Sequence, residues 1–218
     1  MLVVRRAVVG PFAENTWLVA DPATREAALI DPGDEPAGVL ALAEPGGFEV
    51  RRILATHGHV DHIVGAEEAR ARTGAPFRIH AGDAPFVRAL PAQAAGLGFG
   101  PARAPEVAGF LEDGQAFRVG EHEVRVLHTP GHSPGSVCFW FPADRVLFTG
   151  DTLFQGSVGR VDLPGGDGGA LVRSIRERLF PLGDDVRFYP GHGPDGTLGE
   201  ERKANPFVGD GAPRGPFM

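Results

Sequence analysis

Short apolar runs separated by turn residues dominate the first part of the chain. Leu2 to Val9 is β-branched and apolar around Arg5 and Arg6, and Thr16 to Ala20 and Ala27 to Ile30 are two further runs. Gly10-Pro11, Asp21-Pro22 and Asp31-Pro32-Gly33 punctuate them, which predicts short strands joined by tight turns. Pro36 to Ala43 reads as a helix, with Pro in its first turn and Pro45 beyond its end. A strand follows at Val50 to Ala55, a helix from His62 to Thr73 that stops at Gly74, and a strand from Pro76 to His80. Ala81 to Asp113 lacks a clear period and is expected to hold short helices and a long surface loop. The second half repeats the alternation. Strands are expected at Glu121–Leu127, Ser136–Phe141, Arg145–Phe148 and Val186–Tyr189, with a helix over Ala170–Phe180 that aligns Leu171, Ile175 and Leu179 on one face. The pattern predicts an α/β fold of two packed sheets with helices outside, one domain over residues 1–208, and a loose tail from Gly209 to Met218.

Composition narrows the class. A chain of 218 residues with 42% hydrophobic and 22% charged residues buries a proper core and is too apolar for disorder. A net charge of −7 counts against nucleic acid and against an anionic membrane surface as partners. Cys138 is the only cysteine and cannot form an internal disulfide. No apolar stretch reaches bilayer length. Together these point to the cytoplasm.

The chemistry concentrates in one segment. Three of the 8 histidines stand in Thr56-His57-Gly58-His59-Val60-Asp61-His62, directly after a strand. Imidazole and carboxylate are the usual ligands of divalent transition metals, and four donors exceed what one tetrahedral ion takes while keeping a place for water. Two metals are therefore expected. His132 after Pro130-Gly131, Asp151 after Thr149-Gly150 and His192 after Pro190-Gly191 repeat the setting: a donor just past a glycine where a strand ends. His80, His122 and His128 lack it and read as ordinary polar residues, Asp144 as a turn residue and Cys138 as core. Ser133 and Ser136 read as turn residues, and Gly165 to Gly169 as a loop entering a helix.

Thr-His-Gly-His-Val-Asp-His, Pro-Gly-His-Ser, Phe-Thr-Gly-Asp and Pro-Gly-His, in this order, resemble the metallo-β-lactamase superfamily. The resemblance runs from Asn15-Thr16-Trp17-Leu18-Val19 and Ile30-Asp31-Pro32-Gly33 to Asn205-Pro206-Phe207. It implies an αββα sandwich of two mixed sheets flanked by helices. It also implies a first metal on His57, His59 and His132, a second on Asp61, His62 and His192, and Asp151 bridging them. The ions would be two divalent metals per chain, zinc first, with iron or manganese as alternatives.

All seven positions are filled, as in the glyoxalase II branch, whereas classical β-lactamases of this fold use a cysteine ligand and lack the histidine beside the aspartate. The implied activity is hydrolysis of a small-molecule thioester by a metal-bridging hydroxide that Asp61 orients. Arg160 in Gly159-Arg160-Val161-Asp162 matches the family's basic substrate contact; its other reading is a salt bridge to Asp162 or Asp167. Asp162 and the Gly193-Pro194 pair stand where the branch carries two aromatic thiol contacts, so the chain resembles the short glyoxalase II-like hydrolases. The rival enzyme is a mononuclear iron persulfide dioxygenase of the same fold.

Overall fold

The computed structural model describes residues 1–212. The first sheet contains, in chain order, β1 (Val3–Val9), β2 (Glu14–Ala20), β3 (Glu26–Ile30), β4 (Glu49–Leu54), β5 (Phe77–His80) and β6 (Val107–Leu111). Its first three strands are antiparallel and the rest parallel. The second half supplies β7 (Ala116–Val119), β8 (His122–His128), β9 (Val137–Phe141), β10 (Val146–Gly150), a small ribbon of β11 (Leu153–Phe154) and β12 (Ser157–Val158), then β13 (Arg187–Pro190) and β14 (Gly196–Thr197). These build a second mixed sheet ordered β14-β13-β10-β9-β8-β7, parallel only between β10 and β13.

Alternation along the central strands sorts side chains into separate apolar layers. In β2, Trp17 and Val19 face the other sheet while Leu18 and Ala20 face helices; in β9, Phe139 and Phe141 face inward while Cys138 and Trp140 face outward. The outer layer on the first sheet packs α1 (Pro36–Ala41), α2 (Val60–Ile63), α3 (Ala66–Thr73) and α4 (Ala84–Gly96) through residues such as Val39, Ile63, Ala69 and Leu90. The layer on the second sheet packs α5 (Gly168–Arg173) and α6 (Leu198–Ala204) through Leu171 and Leu198. The result is an αββα sandwich, as the pattern predicted. Fully buried Phe139 and Phe148 stabilise its middle by about 1.5–3 kcal/mol each. Among the described residues, no helix is long and apolar enough to cross a membrane.

Several elements differ from expectation, each for a local reason. The helix expected over His62–Thr73 is two helices, α2 and α3, broken at Gly65. Its backbone N–H donates to Pro32 O, and a Cβ there would lie 2.1 Å from Gly33 O, so tertiary contact overrides helical continuity. The helix expected over Ala170–Phe180 begins at Gly168, capped by Asp167, and widens to a π-helical turn over Ser174–Leu179, still burying Leu171, Ile175 and Leu179. The loop expected over Ala81–Asp113 holds the 13-residue α4, which keeps Pro91 inside it, and the edge strand β6. Strand β7, the β11–β12 ribbon, β14 and α6 gave no clear signal in sequence. Of the expected tail, residues 213–218 lie outside the described residues, whereas Gly209 and Asp210 are held by backbone bonds to Asn205 and Arg202.

Candidate metal centre

Four turns at the C-terminal ends of β4, β8, β10 and β13 open at one edge between the sheets. After β4, His57 leads to His59 at the start of α2, whose single turn carries Asp61 and His62. His132 follows β8, Asp151 follows β10 and His192 follows β13. Every sequence-predicted donor therefore reaches the same edge. Gly191 passes directly against the donors: a Cβ on it would lie 2.3 Å from Asp151 Oδ1 and 2.5 Å from His62 Cε1. Gly191 N–H is bonded to Gly150 O and Asn15 N–H to Gly191 O, which fixes the last turn against both sheets.

The donors form two clusters. His57, His59 and His132 bring ligating nitrogens within 4.8 Å of one another, and Asp61, His62 and His192 do the same with a carboxylate included. His132 Nε2 lies 2.9 Å from His59 Nδ1 and 3.2 Å from His57 Nε2. In the other cluster, Asp61 Oδ2 lies 3.3 Å from His192 Nε2 and 3.7 Å from His62 Nε2. Asp151 stands between them. Its Oδ2 is 3.6 Å from both His132 Nε2 and His192 Nε2, and its Oδ1 is 3.4 Å from His62 Nε2.

Four of the five imidazoles are oriented from behind. His132 Nδ1 donates to Arg160 O at 2.8 Å, and His192 Nδ1 to Phe12 O at 3.2 Å. His62 Nδ1 faces Asp31 Oδ2 at 3.1 Å, and that carboxylate also accepts from the Thr56 amide and hydroxyl, both at 2.6 Å. Thr56 Oγ1 in turn lies 3.1 Å from His57 Nδ1. Such partners set tautomer and ring direction for a metal ligand.

Sequence reasoning missed Asp83, a fully buried carboxylate at the start of α4. Its Oδ2 accepts from Gly58 N–H at 2.8 Å and Ser133 Oγ at 2.7 Å, and its Oδ1 from Gly135 N–H at 2.6 Å. One side chain thus braces the His57–His59 turn against the His132 turn, and Ser133 has this partner beyond its turn position. Only its neighbour Pro85, a helix N-terminal signal, marked the place. Glu14 was also missed. It is buried, takes a hydrogen bond from Thr16 Oγ1 and lies 3.7 Å from His62 Nδ1, and burial pushes its carboxyl well up. His80 and His128 stack on each other at 4.3 Å, and His122 pairs with Asp144 at 2.6 Å, all outside the two clusters. Cys138 is fully buried in the outer layer of the second sheet.

The electrostatics differ between clusters. Burial, reinforced by the neighbouring imidazoles, holds His57 well below its ordinary value and His59 down to about 4. Burial would also lower His62 and His192, but the Asp151 and Asp61 carboxylates raise both, His62 strongly. Burial would raise Asp151, yet His62, His132 and His192 hold it well below the usual carboxylate range, and Asp61 is lowered by His62 and His192.

His62 Nε2 and Asp151 Oδ1 are buried without a hydrogen-bond partner, and both point among the donors. Orphaned buried polar atoms cost of order 1–3 kcal/mol each unless something satisfies them. Nitrogen and carboxylate donors converging on that point fit divalent transition metals. In front of them opens a cavity of about 520 Å³. Phe12, Phe86, Leu97, Phe154 and Leu163 wall it, and Arg160 stands at its margin, its guanidinium bonded twice at 2.7 Å to Asp162.

The metallo-beta-lactamase superfamily model matches residues 9–192. The chain is 36% identical to the hydroxyacylglutathione hydrolase GloC of Haemophilus influenzae, with 92% of this chain and 95% of that protein aligned. Among solved structures, the BLEG-1 B3 metallo-beta-lactamase superposes with a TM-score of 0.87 at 32% identity, covering 94% of this chain and 99% of that one. TTHA1623 in a di-iron-bound form superposes with a TM-score of 0.85 at 40% identity, covering 94% and 100%.

Proposed function

The chain belongs to the metallo-β-lactamase superfamily, and on that premise we propose that it hydrolyses thioesters of the hydroxyacylglutathione type with two divalent ions, zinc first. At the coarser level it is a metal-dependent hydrolase of this superfamily. The observation that carries the two-ion part of this reading is the position of Asp151, between the two donor clusters.

His57, His59 and His132 would hold one ion, Asp61, His62 and His192 the other, and Asp151 both. When bound, two divalent ions supply an activated water nucleophile and polarise the scissile carbonyl. The chain's own residues do the rest. Arg160 O and Phe12 O keep His132 and His192 turned toward the centre, and Asp31 does so for His62. Asp61, at the mouth of the second cluster, orients the attacking water. Water adds its oxygen to the carbonyl carbon, the C–S bond breaks, and the thiolate leaves with the bonding pair. A thiolate is a good leaving group, so the site has no need of a dedicated acid beside the sulfur. The relative named hydroxyacylglutathione hydrolase supports the thioester bond as target. The single cysteine is in keeping with a cytoplasmic setting, which is part of the same reading.

The test is turnover of a thioester panel by metal-reconstituted protein, with a cephalosporin, a β-lactam, and a persulfide with oxygen as competing substrates. Thioester cleavage with two ions per chain supports the reading. Oxygen uptake with a persulfide on a single iron, or faster lactam opening than thioester cleavage, overturns it.

A further inference from the structure

Of the large apolar side chains that stay exposed, Phe12 and Leu97 stand at the cavity, 46% and 49% exposed. Exposed apolar groups gathered at a cleft mark a binding surface rather than chance. Phe12 is fixed edge-on against Phe99 with ring centroids 5.4 Å apart, and Phe86 is set edge-on over His59 at 5.3 Å. The apolar wall therefore reaches from the metal donors to the mouth. Helix α4, started by the buried Asp83 that braces both ligand turns, carries Phe86 into it, and Leu97 ends the helix at the same cavity.

Beyond the metal donors, charge on this surface is scarce. Apart from the histidines, Arg160 is the only cationic side chain among the described residues lining the cavity, and both of its forked bonds go to Asp162. Asp61 and Asp151 face the same space. Glutathione brings two carboxylates and an ammonium. Seating it here would leave carboxylates against apolar walls without partners, which costs far more than leaving them in water.

We propose that this cavity selects thioesters whose non-reacting part is apolar and uncharged, with Phe12, Phe86 and Leu97 as the specificity-determining contacts. The proposal rests on the thioester reading above, keeps its bond and its two-ion site, and replaces the glutathione part of the substrate with an apolar one. The reaction is unchanged: thioester and water give carboxylic acid and thiol.

Binding and turnover separate the two claims. Calorimetry on the metal-loaded protein compares benzylthioacetone with S-acetonylglutathione, two ketone thioethers that cannot be hydrolysed. Turnover compares S-benzyl thiolactate with S-lactoylglutathione, which share an acyl group and an alkanethiol leaving group. The benzyl thioether is expected to bind at least about tenfold more tightly, the effect of a few matched apolar contacts. Phe12→Ala is expected to weaken it by about tenfold, and Leu97→Lys to narrow or invert the preference. Equal or tighter binding of the glutathione thioether, or a preference that survives both substitutions, overturns the proposal. Hydrolysis of neither ester, with the binding preference intact, overturns the thioester reading and leaves the apolar selectivity standing.

Discussion

The two donor clusters sit a few ångströms apart yet are built on opposite electrostatic terms. His57, His59 and His132 form an all-imidazole set braced by Asp83 and Thr56, in which burial keeps His57 and His59 neutral. Asp61, His62 and His192 form a mixed set in which carboxylates favour the protonated imidazoles. The first is ready for a cation as it stands. The second exchanges protons for one. A two-metal site in this chain is thus asymmetric before any metal arrives, and the residues behind each ligand decide the asymmetry.

Removing what the clusters share gives the largest effect. Asp151→Ala should abolish the second ion and weaken the first, lowering turnover by at least about 1,000-fold, or about 4 kcal/mol in the barrier. Elemental analysis and kcat on the same preparation check this; turnover near the parent level would mean that one cluster works alone. Asp83→Asn aims at one cluster only. It should weaken the metal on His57, His59 and His132 by about 10–100-fold, the usual cost of a lost outer partner, and spare the other. Competition with a chelator reads the two affinities. Equal loss at both would show that the two turns move as one unit.

The donors were legible in sequence, their division into two sets came only with the family resemblance, and their asymmetry was not legible at all. Donors at His57, His59, Asp61, His62, His132, Asp151 and His192 announce themselves because each stands in a turn after an apolar run. The layered sandwich was legible too, since alternation in β2 and β9 fixes which side chain enters which layer. Asp83 and Glu14 were hidden, because a single carboxylate at a helix start or strand end looks solvated until distant chain covers it. Asp83 meets Gly135 across a separation of 52 residues. The break at Gly65 and the helix α4 were likewise set by tertiary contact: the first by Gly33 O, the second by Val87, Leu90 and Ala94 packing onto the first sheet.

Acid should separate the clusters further. A metal entering the second must displace protons from His62 and His192, whose values are raised, whereas His59 stays neutral down to about 4. Dialysis from about pH 8 to about pH 5 should therefore release the second equivalent first, with affinity falling about tenfold per pH unit for each proton displaced. The metal-free protein adds a stability signature. The folded value of His59 lies below the unfolded value of about 6.5, so the unfolded chain takes the proton first, and this contribution is lost as pH falls from about 6.5 toward 4. His62 and His192 act in the opposite sense: their folded values are raised, so their contribution is present below about 6.5 and fades as pH rises through those values. Thermal unfolding across this range reads both, and simultaneous release of the two metals would contradict the asymmetry.

The smallest effect belongs to Arg160, which serves the first cluster through its backbone and the cavity through its side chain. Its carbonyl holds His132 Nδ1, a contact that any residue at this position supplies. The guanidinium lies in the open, paired with an equally exposed Asp162, and solvent screening leaves such a surface pair little weight in stability. Arg160→Ala should therefore keep the metal content and leave the thermal midpoint close to the parent's. If the guanidinium stays with Asp162, KM for S-lactoylglutathione should rise less than about threefold, within what a screened rim charge contributes. A rise beyond about tenfold with metal content intact would show that Arg160 leaves Asp162 to meet a carboxylate. The cavity would then admit an anionic thiol after all, and the apolar walls would serve the acyl side of the thioester.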